Sequence, residues 1–312
     1  MEGREAAIRH FSLFTFHFSL KRKAPFFFFT LLFPAWLVAQ VHVVVSIAPQ
    51  ATFVRKIAGD LADVTVMVPP GASPASYEPK PSQMRAIAKA DLYFAIGVPF
   101  ERAWLPRFAR QNPRMRIVDV TEGIQKVPMA SHHHHDHDHD NTQHSTFSTQ
   151  HSLDPHVWLA PPLVKRIARN IADALAQADP AHEEIYARNL EAFEREIDAV
   201  DRRLRAILAP CKGEAMMVFH PSWGYFARTY GLRQIPIEIE GKEPKARELA
   251  HLIREAKEEG VRSLFVQPQF SQRAARVIAE AIGAKLVVAD PMATNWSENL
   301  IDVAKKVCGA KR

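Results

Sequence analysis

Cysteine is nearly absent. Cys211 and Cys308 are the only two in 312 residues, and neither stands in a C-x-x-C or other metal-ligand spacing. That excludes thiolate zinc clusters, iron–sulfur centres and dithiol redox chemistry. Catalytic signatures are missing too: the chain has no H-E-x-x-H helix, G-x-S-x-G elbow, Walker A loop or G-x-G-x-x-G fingerprint. Ser222 follows His220 by two residues, but nothing presents a base to its hydroxyl or supplies an oxyanion site. A binding role is therefore favoured, and the chain is read as no enzyme. A strong excess of charge is lacking as well, since the formal net charge is only +6, too weak a balance to point to nucleic acid. Long apolar runs are confined to residues 26–39, which Pro34 interrupts and which fall short of the ~20 residues a spanning helix needs.

That run follows Lys21-Arg22-Lys23 and ends in Leu37-Val38-Ala39, the charge, length and small-residue end of a secretory signal. Cleavage is expected near Ala39, with residues 1–39 a signal peptide carrying an N-terminal extension. Its loss removes five Lys/Arg against two Asp/Glu and leaves +3. No cysteine ends the run to accept a lipid, so the mature protein is expected free in an oxidising compartment. There a bridge between Cys211 and Cys308 is expected, tying the entry of the C-terminal lobe to its last helix.

The 47% hydrophobic content supports ordinary globular cores. Short β-branched runs alternate with helical segments: Val41–Ile47, a helix over 51–58, Val64–Val68, a helix over 83–89 capped by Ser82, and Leu92–Ile96. The same pattern restarts at Ala215–Phe219 and continues through Ile235–Ile239, Ser263–Val266 and Lys285–Val288. This predicts an α/β class with two lobes. Between them, Asp179 as N-cap and Pro180 at the first helical position open a helix running to Ala209. Its apolar residues Tyr186, Leu190, Phe193, Ile197, Val200, Leu204 and Ile207 fall alternately four and three apart, giving one buried stripe on a helix of about 40 Å. The divisions expected are an N-terminal α/β lobe over 40–178, a linking helix over 179–210 and a C-terminal α/β lobe over 211–312.

The run His132-His133-His134-His135-Asp136-His137-Asp138-His139-Asp140, with His144 and His151 beyond it, lies inside a loop over 131–151. Imidazole and carboxylate are ligands for borderline divalent ions such as Zn²⁺, and the tract is too polar to fold by itself. Three single candidates sit elsewhere. His220 directly follows the strand Ala215–Phe219, Asp290 follows the strand Lys285–Ala289, and His156 lies in Asp154-Pro155-His156-Val157-Trp158. In open α/β sheets ligands bind beyond the carboxyl ends of strands, and two imidazoles with a carboxylate make a zinc set. Trp158, Trp223 and Trp296 would serve either as a hydrophobic shell around the ion or as ordinary core aromatics.

The motifs Pro69-Pro70-Gly71-Ala72-Ser73-Pro74-Ala75-Ser76-Tyr77-Glu78-Pro79, Asp154-Pro155-His156-Val157-Trp158-Leu159, Phe219-His220-Pro221-Ser222-Trp223-Gly224, Ile239-Glu240-Gly241-Lys242-Glu243-Pro244 and Asp290-Pro291 occur in that order. Together they resemble the zinc/manganese solute-binding proteins of ABC importers, the ZnuA/TroA-like family, across essentially the whole mature chain. The resemblance implies two pseudo-symmetric α/β lobes joined by a long rigid backbone helix, with one metal in the interlobe cleft. It implies a protein that carries Zn²⁺ through the periplasm to a membrane permease, with His156, His220 and Asp290 at the second, third and fourth ligand positions; a monomer is expected. His at the third position is similar to the zinc-binding members, whereas manganese members tend to carry Glu. The family's first ligand is a His where this chain has Ala75; Tyr77, Glu78, Glu240, a loop His or water are the alternatives for that position. The competing functions are a periplasmic zinc buffer or chaperone that serves no permease, and an exported zinc hydrolase.

Overall fold

The structure, a computed structural model, describes residues 40–130, 153–238, 244–270 and 272–309. The leader over 1–39, the His-rich tract and Glu240 lie outside the described residues. Among the described residues, no helix is long and apolar enough to cross a membrane.

Two four-stranded parallel sheets carry the fold. The first contains β1 (Val41–Ile47), β2 (Ala62–Val68), β3 (Leu92–Ala95) and β4 (Arg116–Asp119) in the order β2-β1-β3-β4. The second contains β5 (Ala215–Val218), β6 (Arg233–Pro236), β7 (Ser263–Val266) and β8 (Lys285–Val288) in the order β6-β5-β7-β8. The two orders are the same permutation, and this repeated topology is the pseudo-symmetry that the family resemblance implies. The inner strand β1 is buried along nearly its whole length, as a parallel strand covered on both faces must be, and so reads as a continuous β-branched run rather than an alternation. The edge strand β6 ends at Pro236, where a residue without an N–H is tolerated. Pairing with β5 nevertheless runs on past it, through Ile237 N–H to Val218 O (2.8 Å) and Glu238 N–H to Phe219 O (2.9 Å).

The helices are α1 (Ala48–Ala58), α2 (Pro81–Lys89), α3 (Pro99–Gln111), α4 (Pro161–Ala178), α5 (Glu183–Leu208), α6 (Gly224–Tyr230), α7 (Ala246–Glu258), α8 (Gln272–Ile282) and α9 (Trp296–Gly309). Three starts differ from the sequence reading, each where side-chain hydrogen bonds set the first turn. Gln50 Oε1 accepts the N–H groups of Ser46 and Ile47 at 3.1 Å, so α1 opens directly off β1 at Ala48 and not at Ala51. Gln83 Oε1 accepts the Lys80 N–H at 2.9 Å, and α2 starts at Pro81 without help from Ser82. The Asp179 carboxylate is taken by His182 Nδ1 and the Tyr186 hydroxyl, each at 2.7 Å, instead of by backbone. Pro180–His182 is consequently a single 3-10 turn, and the α-helix begins at Glu183.

The 26-residue α5 buries Tyr186, Phe193, Ile197, Val200, Leu204 and Leu208, while Leu190 and Ile207 are half-buried against the core. It packs on α1, α4 and α9, and each fully buried Leu, Ile or Phe contributes about 1.5–3 kcal/mol. Lys56 of α1 pairs with Glu196 at 2.7 Å, and Asn189 Nδ2 donates to Ile57 O at 2.9 Å. The last helix, α9, lies against α5, with Trp296 edge-on to Phe53 of α1 at 5.5 Å. Cys211 and Cys308 are bridged with Cα atoms 5.8 Å apart, joining the turn before β5 to α9 as the sequence suggested.

Candidate metal centre

His220 stands two residues past the end of β5, at the carboxyl edge of the second sheet. Its ring stacks on Phe270 with centroids 5.2 Å apart and planes at 20°. Its Nδ1 lies 2.5 Å from Glu238 Oε2. Glu238 reaches it because the β5–β6 register pairs Val218 with Pro236, and two steps further that register sets 238 opposite 220. The Gln267 side chain, only 1% exposed, brackets the His220 backbone: its Oε1 accepts the His220 N–H at 3.2 Å and its Nε2 donates to His220 O at 2.7 Å.

His156 comes from the other half of the chain, and its ring centroid lies 5.3 Å from that of His220, nearly perpendicular to it at 72°. Asp154 Oδ1 accepts both the His156 N–H (2.9 Å) and Nδ1 (2.6 Å), and Asp154 is 2% exposed. Burial pulls the His156 imidazole below its ordinary pKa, and the favourable charge of Asp154 only partly offsets this. The neutral ring is the form that ligates metal. In both histidines a buried carboxylate fixes Nδ1 as the protonated nitrogen, which leaves the Nε2 lone pair to a ligand. Metal-binding imidazoles are usually oriented by such a second carboxylate.

Asp290 follows β8 in the same sheet as His220. Its Oδ1 accepts Gln269 Nε2 at 2.9 Å and Met292 N–H at 3.0 Å. The chain beside it is tied to the chain beside His156 by two indoles: Trp158 Nε1 donates to Pro291 O and Trp296 Nε1 donates to Trp158 O, both at 2.7 Å. Both of these tryptophans are buried core anchors, and the Trp158 ring lies 5.1 Å from that of His156. Trp223, fully buried, packs on Phe226.

The structure therefore brings His156 and His220 side by side. Asp290 is not gathered with them, for among the described residues no three His, Cys, Asp or Glu side chains form a ready metal cluster. Ala75 is exposed on the loop between β2 and α2, its N–H 3.3 Å from Ser73 Oγ. The Tyr77 hydroxyl is spent on Gln83 Oε1 at 2.7 Å, and Glu78 is exposed. Sequence reasoning passed over Asp154 and Glu238. Both left a signal: Asp154 precedes His156 by two, and Glu238 overshoots an edge strand by as much as His220 overshoots its neighbour.

The family described as zinc-uptake complex component A, periplasmic, matches residues 43–307. A high-affinity zinc uptake system protein of Bacillus subtilis (strain 168) is 30% identical over 253 residues, spanning 80% of this chain and 77% of that protein. A crystal structure of ZnuA superposes with a TM-score of 0.79 at 42% identity, covering 88% of this chain and 100% of that one. A zinc-bound ZnuA carrying a 138–173 deletion gives 0.78 at 42% identity, over 87% and 98% of the two chains.

Proposed function

The chain belongs to the family of periplasmic zinc-uptake complex components, and we propose that it captures Zn²⁺ between its lobes through His156, His220 and Asp290 and delivers the ion to a membrane permease. It is the periplasmic zinc-binding component of an ABC importer and not an enzyme. The observation that carries the two histidines is the pair of facing imidazoles, 5.3 Å apart, each with Nδ1 engaged by a buried carboxylate; Asp290 joins the set on the family pattern and on its place past β8 of the sheet that presents His220. Two neutral nitrogens and a carboxylate suit Zn²⁺ better than the oxygen-rich sets preferred by Mn²⁺. With a methyl group at Ala75, the fourth position goes to water or a mobile donor, which makes the ion easier to hand on. Residues 1–39 act as the cleaved leader, and the mature protein works as a monomer.

Metal analysis of the purified protein tests this reading, with His220→Ala beside it and both in a background lacking residues 131–152. That deletion is geometrically mild, because Pro128 and Leu153 form an antiparallel bridge and Asp154 N–H bonds Val127 O at 2.8 Å. One zinc equivalent should survive the deletion, and His220→Ala should weaken it by more than the roughly 100-fold that loss of an orienting partner can cost. Unchanged zinc affinity in His220→Ala would sink the proposed site.

A further inference from the structure

We propose that Gln269 sets the metal preference of the site by holding Asp290 to a single ligating oxygen; this rests on the ligand set given above. Asp290 Oδ1 already accepts two N–H groups, from the Gln269 side chain at 2.9 Å and the Met292 backbone at 3.0 Å. Two donors fill the lone pairs of that oxygen, so Oδ2 is the atom left for an ion. A one-oxygen carboxylate beside two imidazoles keeps the coordination number low, as tetrahedral Zn²⁺ prefers, whereas Mn²⁺ favours six ligands rich in oxygen and gains from a carboxylate that can turn both oxygens to it.

Three features mark Gln269 as placed for its donor. Its Oε1 has no hydrogen-bond partner among the described residues, so the Nε2 donor to Asp290 is the contact that orients the amide. The amide is neutral, so it orients Asp290 without cancelling the charge that attracts the ion. And it belongs to the same short segment after β7 that holds the other ligand of this sheet, through the Gln267 amide on the His220 backbone and the Phe270 ring on the His220 imidazole. Gln269 is thus a positioning residue acting through Asp290.

The test compares Zn²⁺ and Mn²⁺ affinities of the first-filled site in the purified full-chain protein, in Gln269→Met and in Asp290→Ala. Gln269→Leu serves as a second apolar replacement should the first fail to fold. Loss of the N–H should lower the Zn²⁺-over-Mn²⁺ preference about tenfold, the lower end of what orienting partners contribute. The first equivalent of Co²⁺ should also lose the intense visible absorption of four-coordinate geometry. A fall in both affinities by the same factor, with the preference and the Co²⁺ spectrum unchanged, would mean a merely structural role and would overturn the proposal. Unchanged zinc binding in Asp290→Ala would overturn the ligand set along with it; a loss there with preference intact in Gln269→Met overturns this inference alone.

Discussion

The two sheets share one strand order, yet their carboxyl edges do opposite things. Past β5 the chain presents His220, an imidazole with one nitrogen engaged and one to spare. At the carboxyl end of β1, as its penultimate residue, stands Ser46, whose hydroxyl meets Glu101 Oε1 at 2.5 Å and the Tyr93 hydroxyl at 2.7 Å. Glu101 is completed by the N–H groups of Ile96 (2.9 Å) and Gly97 (2.7 Å), which follow β3. In the first sheet the polar groups at the edge satisfy one another and close; in the second they hold a side chain open for a ligand. The N-terminal half supplies its own imidazole from the segment after β4, not from a strand end. Repetition of topology has therefore not repeated the chemistry, because a strand end fixes where a side chain stands and its neighbours decide whether it is consumed.

The cores differ in the same sense. The first sheet shares one continuous apolar cluster with α5 and α9, while much of the second sheet packs in a separate, smaller cluster with α7 and α8. The largest expected effect comes from the covalent tie between the turn before β5 and α9. Removing the bridge in a Cys211→Ala, Cys308→Ala protein releases a 97-residue span, which the chain-entropy model values at about 4 to 5 kcal/mol. Denaturant unfolding should register much of that loss, and amide exchange should rise in β5–β8 before β1–β4; equal rises in both sheets would break the distinction. Next in size is Ser46→Ala, which strips a hydroxyl from a buried carboxyl and should cost about 1–3 kcal/mol of stability with zinc affinity unaltered. A loss of zinc binding there would mean that the first edge is not closed after all.

Adding a donor at Ala75 should sharpen the contrast from the other direction. Ala75→His gives the cleft a further imidazole, and calorimetry should show binding tightened about tenfold, a change of 1.4 kcal/mol. No change would mean that another side chain already occupies that position, with Glu78 and Glu240 the first to mutate. The smallest effect concerns pH. Burial raises the Glu101 carboxyl above its ordinary 4.5, against the opposing pull of the Ser46 hydroxyl and the two backbone N–H groups. A raised folded-state pKa means the folded chain holds the proton more tightly than the unfolded one. The stability this contributes is complete below pH 4.5 and fades as pH rises through the folded value. Unfolding of Glu101→Gln followed across that window should lack this decline relative to wild type; parallel curves would count against it.

Much of this protein was legible in its sequence. The β-branched runs placed β1, β7 and β8 to the residue, the four-and-three spacing from Tyr186 to Leu204 gave the buried face of α5, and two lone cysteines in a chain expected to be exported pointed to their bridge. His220 could be singled out because an imidazole stands past the carboxyl end of a strand, where open α/β sheets leave room for a ligand, and His156 because it stands in the motif over 154–159. What the sequence left undecided was partnership. Apolar periodicity reports that a face is buried without saying what covers it, so the return of α9 onto α5 and the indole contact with α1 emerge only when the chain closes. The same holds for the polar groups: Glu238 reaches His220 through strand register, Gln269 reaches Asp290 across 21 residues, and His156 meets His220 across the two halves of the molecule. Such pairings depend on long-range geometry, which only the tertiary structure fixes; residue type and local spacing determined the candidates among which it chose.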